Sequence, residues 1–327
     1  MGTTGDTIAC FGEALIDFRA EPGPAGQPRR FVEQPGGAPA NVAVGIAALG
    51  GTARFIGMLA QDMFGDTLAA ALRQRGVDTS QVRRTDAAPT ALAFVSLADD
   101  GERSFSFYRP PAADLLFRED DFADDAFADV AALHACSNSL TEPDIAQATL
   151  HGMAQAARAG ALVSFDLNLR PALWPRGVDP TPTLWRALER ADLVKLSTDE
   201  LAFLAGDGDR DATIARILGA ASALVVTDGA APIRWWSRNG AGSAPTFAVA
   251  PVDTTAAGDA FVAGLLWRLA ARAVDARGLG AAFDDDALRA DLLAHAAAAG
   301  ALATTRHGAF DAMPAHDAVD RLLETAR

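Results

Sequence analysis

Short apolar runs alternate with longer helical stretches along most of this chain. The first runs are 6–11 (DTIACF) and 53–59 (ARFIGML). Four more, at 130–138 (VAALHACSN), 161–168 (ALVSFDLN), 191–197 (ADLVKLS) and 222–229 (SALVVTDG), each end in polar residues. Runs of this length bounded by turn residues read as buried strands. Between them lie stretches with helical spacing. Residues 38–49 (APANVAVGIAAL) place Pro39 in a first turn and Val42, Ile46 and Leu49 on one stripe. Residues 63–76 read as a helix closed by Gly76. The last third is helix-rich, at 257–271, about 284–303 and about 315–325. Such alternation predicts an α/β fold: a mostly parallel sheet with helices on both faces.

Two regions break the rhythm. Residues 13–34 are extended, with a turn-rich stretch at 20–30 and a short strand at 30–34 (RFVEQ). Residues 90–109 read as two strands joined at 99–102 (DDGE), a hairpin. Together, about 13–34 and 90–112 are expected to form a small β-sheet lid inserted into one domain that spans 1–327.

Composition narrows the partners. Half of the 327 residues are hydrophobic, enough for one large core. A net charge of −14 repels nucleic acid and anionic lipid surfaces. There is no run of 18 apolar residues to span a membrane, and no basic-then-apolar leader at the start. Cys10 and Cys136 sit in apolar surroundings, as expected for a reducing, cytoplasmic setting. The five histidines are scattered, and the acidic run at 119–125 reads as a solvated face. Lys195 is the sole lysine and lies outside any G-x-x-x-x-G-K-[ST] pattern, which excludes a P-loop. Phosphate would be held instead by backbone N–H groups, helix ends and arginine.

The stretch DTTAAGDAFVAGLL (253–266) offers such a place. Small residues precede a helix whose bare N-terminal amides suit an anion. Asp259 sits about one turn in, where it would take a proton from a hydroxyl or simply cap the helix. A second Gly-rich stretch, PGGAPANVAVGIAALGG (35–51), also precedes a helix and carries Asn41 on the first turn. Its glycines make either a plain turn or a second close approach to a small ligand. An anion hole beside a deprotonating acid suits phosphoryl transfer.

These two stretches resemble the two signature motifs of the PfkB (ribokinase-like) carbohydrate kinases. FGEALIDF (11–18), SFSFYR (104–109) and DLNLR (166–170) are similar to segments of fructokinases within that family. The resemblance implies a ribokinase-like three-layer sandwich with a β lid, using ATP and Mg2+. It implies Asp259 as the base and the amides of Ala256, Ala257 and Gly258 as the anion hole. Asp17, Gly36, Gly37 and Asn41 would bind the sugar, with Tyr108 and Arg109 reaching down from the lid and Asn168 and Arg170 beside the acceptor. Lys195, Glu200, Thr227, Gly229 and Gly258 fall on the nucleotide side, Glu200 organising magnesium through water. A potassium site in relatives would map to Asp253, Thr255, Ala303 and Gly308. Two positions depart from the family pattern: AAGD stands where G-A-G-D is frequent, and Ser197 stands where N-x-x-E has asparagine.

The expected substrate is D-fructose, giving fructose 6-phosphate. Arg109 and Arg170 would equally suit the carboxylate of 2-keto-3-deoxygluconate, and ribose is a further option. A sugar- or nucleotide-binding regulator on the same fold is the non-enzymatic alternative. Exposed lid edges would suit a homodimer.

Overall fold

The computed structural model describes residues 5–21, 28–97 and 103–325. The expected hairpin turn at 99–102 and most of the turn-rich stretch at 20–30 lie outside the described residues. The elements in chain order begin with β1 (Thr7–Phe11), β2 (Leu15–Glu21), β3 (Arg30–Gly36), α1 (Ala38–Ala48), β4 (Ala53–Ala60), α2 (Met63–Gln74), β5 (Val82–Thr85), β6 (Leu92–Leu97) and β7 (Arg103–Tyr108). Then come β8 (Val130–Cys136), α3 (Pro143–Ala159), β9 (Leu162–Asp166), α4 (Thr181–Leu188), β10 (Leu193–Ser197), α5 (Thr198–Ala205), α6 (Arg210–Ala220) and β11 (Ala223–Thr227). The chain closes with β12 (Ile233–Ser237), β13 (Ala241–Ala244), α7 (Ala257–Ala271), α8 (Leu279–Asp284), α9 (Asp286–Ala303) and α10 (His316–Thr325).

Among the described residues, nine strands form the main sheet in the order β13-β12-β11-β10-β9-β8-β1-β4-β5. The pairs from β11 through β5 are parallel, and β12 and β13 add antiparallel at one edge. Successive residues of the central strands serve opposite faces. Ile8, Leu162 and Leu193 enter one core with α1, α7 and α9, while Ala9, Val163 and Val194 enter another with α3, α4 and α6. Strands buried on both sides read as continuous apolar runs, which is why the pattern was visible in the sequence. The β12–β13 hairpin was not anticipated: IRWWS buries Ile233 and Trp235 and leaves Arg234 exposed, too short an alternation to stand out. The helix expected at about 284–303 is α9, which Asp285 caps by accepting the Leu288 N–H; the short α8 before it was not anticipated.

The lid is a four-stranded sheet, β3-β2-β6-β7. In the β2–β3 and β2–β6 register, Asp17 pairs with Gln34 and Ala93, and Phe18 with Glu33 and Phe94. Neighbours along a strand face opposite ways, so Asp17 lies on one lid face and Phe18 and Phe94 on the other. Asp62 fastens the lid to the main domain. It caps α2 and accepts the N–H and hydroxyl of Thr90, just before β6. No helix of the described residues is long and apolar enough to cross a membrane.

Candidate active site

The parallel strands direct their carboxyl ends to one rim, where α/β sheets carry ligands. The two Gly-rich helices meet there. A Cβ on Gly45 of α1 would lie 2.7 Å from Cβ of Ala263 on α7, so the helices touch where α1 has no side chain. One turn back along each helix stand Asn41 and Asp259. Nδ2 of Asn41 donates to Oδ2 of Asp259 at 2.7 Å, joining residues 218 apart in sequence.

Asp259 does not cap its helix. The cap residue of α7 is Ala256, in the left-handed region at φ 57°, and no side chain bonds the helix start. The amides at that end therefore face the crevice with the positive end of the helix behind them. Burial raises the pKa of Asp259 to about 6, with Asp166 adding to the rise and Asn41, Lys195 and Arg170 opposing it. A carboxylate so tuned is ionised at neutral pH yet basic enough to accept a proton.

Lys195 stands at the other end of the crevice. A Cβ on Gly258 would lie 3.0 Å from its Nζ, which itself donates to Asp166 at 2.9 Å. Burial pulls the Lys195 ammonium down, but Asp166 and Glu200 more than offset it, and its pKa ends above the ordinary value. Thus a buried cation stands against the glycine-bearing start of α7, although no P-loop exists. Glu200 accepts the N–H of Ser197 and of Leu169, each at 2.7 Å, one oxygen apiece. It completes a capping box with Ser197, so the serine at the asparagine position of the family pattern serves as a helix cap. Burial and Asp166 raise the pKa of Glu200, against Lys195 and the two amides. Thr227 ends β11 in register with Ser197, and Gly229 follows at φ 54°.

At the mouth of the crevice, a Cβ on Gly36 would lie 2.4 Å from Oδ2 of Asp17, so a side chain there would push that carboxylate aside. Burial and the charges of Asp259 and Asp253 raise the pKa of Asp17 to about 7. Asn168 is buried at φ 37° after β9, and Arg170 is exposed yet close enough to lower the pKa of Asp259.

The lid residues differ from expectation. Tyr108 pairs in register with Leu92, lies on the lid face opposite Asp17, packs edge-on against Phe94 and is 65% exposed. Arg109 does not reach toward an acceptor. It is buried, holds Asp114 through Nε at 2.8 Å and donates to the Asn138 carbonyl at 2.9 Å. No local pattern pointed to this partner, because the two prolines after Arg109 suggested only the end of a strand.

A model of the pfkB family carbohydrate kinases matches residues 6–316. The chain belongs to that family. This PfkB carbohydrate kinase is 41% identical to probable fructokinase-4 of Arabidopsis thaliana over 97% of its own length and 96% of the relative's. It is similar to a fructokinase of Xylella fastidiosa solved with bound ATP, at 52% identity and TM-score 0.94, covering 98% and 99% of the two chains. A fructokinase double mutant of Vibrio cholerae O395 with fructose, ADP and potassium ion bound is 34% identical, at TM-score 0.85 over 99% of each chain.

In this PfkB carbohydrate kinase the residues mapped to a potassium site converge below α7. Asp253 accepts the N–H of Thr255 at 2.8 Å and that of Gly308 at 3.2 Å. Ala303 ends α9, and the next carbonyl, Thr304, accepts the N–H groups of Val252 and Asp253. Asp166 and Glu13 also border the site, Asp166 accepting from Lys195 and Glu13 from Asn138, although the motifs that carry them suggested no role. Asp166 was legible in principle, as the acid that closes a strand beside the strand bearing the sole lysine.

Proposed function

We propose that this PfkB kinase transfers the γ-phosphoryl group of ATP to the 6-hydroxyl of D-fructose, giving fructose 6-phosphate and ADP. The observation that carries this is the buried Asp259 carboxylate, set at an uncapped helix start and held by Asn41 of the Gly-rich sugar motif. Asp17, Gly36, Gly37 and Asn41 bind sugar hydroxyls, and Asn168 lies at the acceptor. Asp259 takes the hydroxyl proton as the oxygen attacks phosphorus. The amides of Ala256, Ala257 and Gly258, with Lys195 and Arg170, stabilise the charge that gathers on the phosphoryl oxygens. Thr227 and Gly229 line the nucleotide side.

Magnesium, when bound with ATP, neutralises charge on the phosphate oxygens. Each Glu200 oxygen already accepts one amide, which fits contact with the ion through water rather than directly. Asp253, Thr255, Ala303 and Gly308 form the candidate potassium-binding loop pair, and a Vibrio cholerae relative was solved with potassium ion bound. The buried, unpaired Cys10 and Cys136 suit a reducing compartment such as the cytoplasm. Phe31 (44% exposed) and Tyr108, with Phe94 between them, give the outer lid face an apolar surface that a second copy would cover.

A neutral sugar fits better than 2-keto-3-deoxygluconate. Arg109, one of two arginines available for a sugar carboxylate, is committed to Asp114. ADP release with fructose, ketodeoxygluconate, ribose and adenosine as acceptors tests the reading. Fructose should give the highest kcat/KM, and the absence of sugar-dependent ADP release would leave only the regulator.

A further inference from the structure

Glu13 takes no part in the chemistry above, yet it is 1% exposed and fully engaged. Its Oε1 accepts the backbone N–H of Ala38 at 3.1 Å and Nδ2 of Asn138 at 2.9 Å. Ala38 is the first residue of α1, and the cap residue before it, Gly37, has no side chain to offer. The carboxylate satisfies an orphan amide at the positive end of that helix, from 25 residues away. The backbone contact is equally close, since a Cβ on Gly37 would lie 2.6 Å from the Glu13 carbonyl oxygen. Behind Glu13 stands Arg109, at the end of lid strand β7. Its guanidinium donates to the carbonyl of Asn138, and its charge favours an ionised Glu13 against the burial that raises the pKa. The lid exit, the segment after β8 and the start of α1 thus converge on one carboxylate.

We infer that Glu13 is a positioning residue which fixes the first turn of α1 and so sets Asn41 against both the sugar and Asp259. The inference rests on the reading of Asp259 as base and Asn41 as sugar ligand. Asn41 lies one turn along from Ala38, and its own N–H bonds the Gly37 carbonyl at 2.8 Å. Its Nδ2 is taken by Asp259, while its buried Oδ1 accepts no hydrogen bond from the protein. That leaves one amide to hold the base with one end and meet a sugar hydroxyl with the other. A site of this kind tolerates about 0.5 Å of misplacement. Gly37 supplies no side-chain cap at the start of α1, so the tolerance depends on Glu13.

The test uses Glu13→Gln and Glu13→Ala in the full chain, with fructose and MgATP. Glutamine keeps the volume and an acceptor for Ala38 and Asn138, but it removes the negative charge beside Arg109 and sets an NH2 group where one carboxylate oxygen lies 3.9 Å from the Cys136 thiol. In Glu13→Gln the fructose KM should rise about tenfold and kcat fall about tenfold, with larger losses in Glu13→Ala. Calorimetric ATP affinity without sugar should stay within about twofold, because Lys195, Glu200 and Thr227 sit on elements that Glu13 does not touch. The acid limb of kcat should also move to higher pH, since Asn41 lowers the pKa of Asp259 only while held against it. A merely structural role would lower the melting temperature and the active fraction, leaving the KM and the acid limb of the surviving enzyme unchanged. That result in Glu13→Gln, with an active wild type, overturns the inference alone. A wild type that does not phosphorylate fructose overturns the site reading and the inference together.

Discussion

Replacing Asp17 by asparagine should stabilise the ligand-free protein while weakening its hold on the sugar. Asp17 lies in the crevice, and the charges that bear on it are those of Asp259 and Asp253. Burial first, then these two acids, raise its pKa from 3.8 to about 7. An acid whose folded pKa is raised keeps a proton that the unfolded chain has released. Stability therefore falls as pH rises from about 4 to about 7, and the whole penalty stands above that window. At about 1.4 kcal/mol per pKa unit the penalty is roughly 4 kcal/mol. An amide of the same shape carries no charge to desolvate. Urea denaturation without sugar or nucleotide, at about pH 5 and about pH 8, measures the difference. The stability advantage of Asp17→Asn should widen by about 3 kcal/mol between those two conditions. Fructose KM should rise at least about tenfold, because an amide loses one of the two acceptors for neighbouring hydroxyls. A stability difference that does not change with pH would refute the reasoning, for it would mean that Asp17 ionises as a solvated acid.

Asp259→Asn should lower turnover by about 10²–10⁴ with ATP affinity retained, read by ADP release and nucleotide calorimetry. Turnover near that of the wild type would remove Asp259 from the proton transfer. With its pKa near 6, Asp259 is protonated in acid, so kcat/KM should fall about tenfold per pH unit below that value. A profile flat to about pH 4.5 would contradict the assignment. Gly36→Ala should raise fructose KM by about tenfold and leave ATP affinity unchanged, because its Cβ displaces the Asp17 carboxylate. A normal KM in that variant would place Asp17 outside the sugar contacts.

The candidate site was legible to an uneven degree. Asp259 at a helix start was open to two readings, base or cap, until the structure put the cap at Ala256 and the carboxylate in the crevice. Lys195 was visible only as an excluded P-loop lysine and a likeness to nucleotide-side residues. The fold sets its Nζ beside Gly258, which comes from a segment 63 positions later. For Arg109 the sequence pointed toward the substrate and the structure toward Asp114. A charged residue after a strand reads alike in both situations, and only the neighbours distinguish them.

Local sequence carried most of the elements and the places where backbone must lie bare. Strands such as Leu162–Asp166 and Leu193–Ser197 are mostly apolar because a parallel sheet buries both faces, and that requirement is written locally. The helix at 257–271 and the glycines before Asn41 are likewise local, since periodicity and the missing side chains can be read within a few turns. Tertiary structure alone decided which carboxylates repel, which amide holds the base and which arginine is free. Burial and Coulomb interaction depend on groups within a few ångströms of each other, whatever their separation along the chain. Asn41 and Asp259 share a hydrogen bond across 218 positions only because Gly45 lets two helices touch.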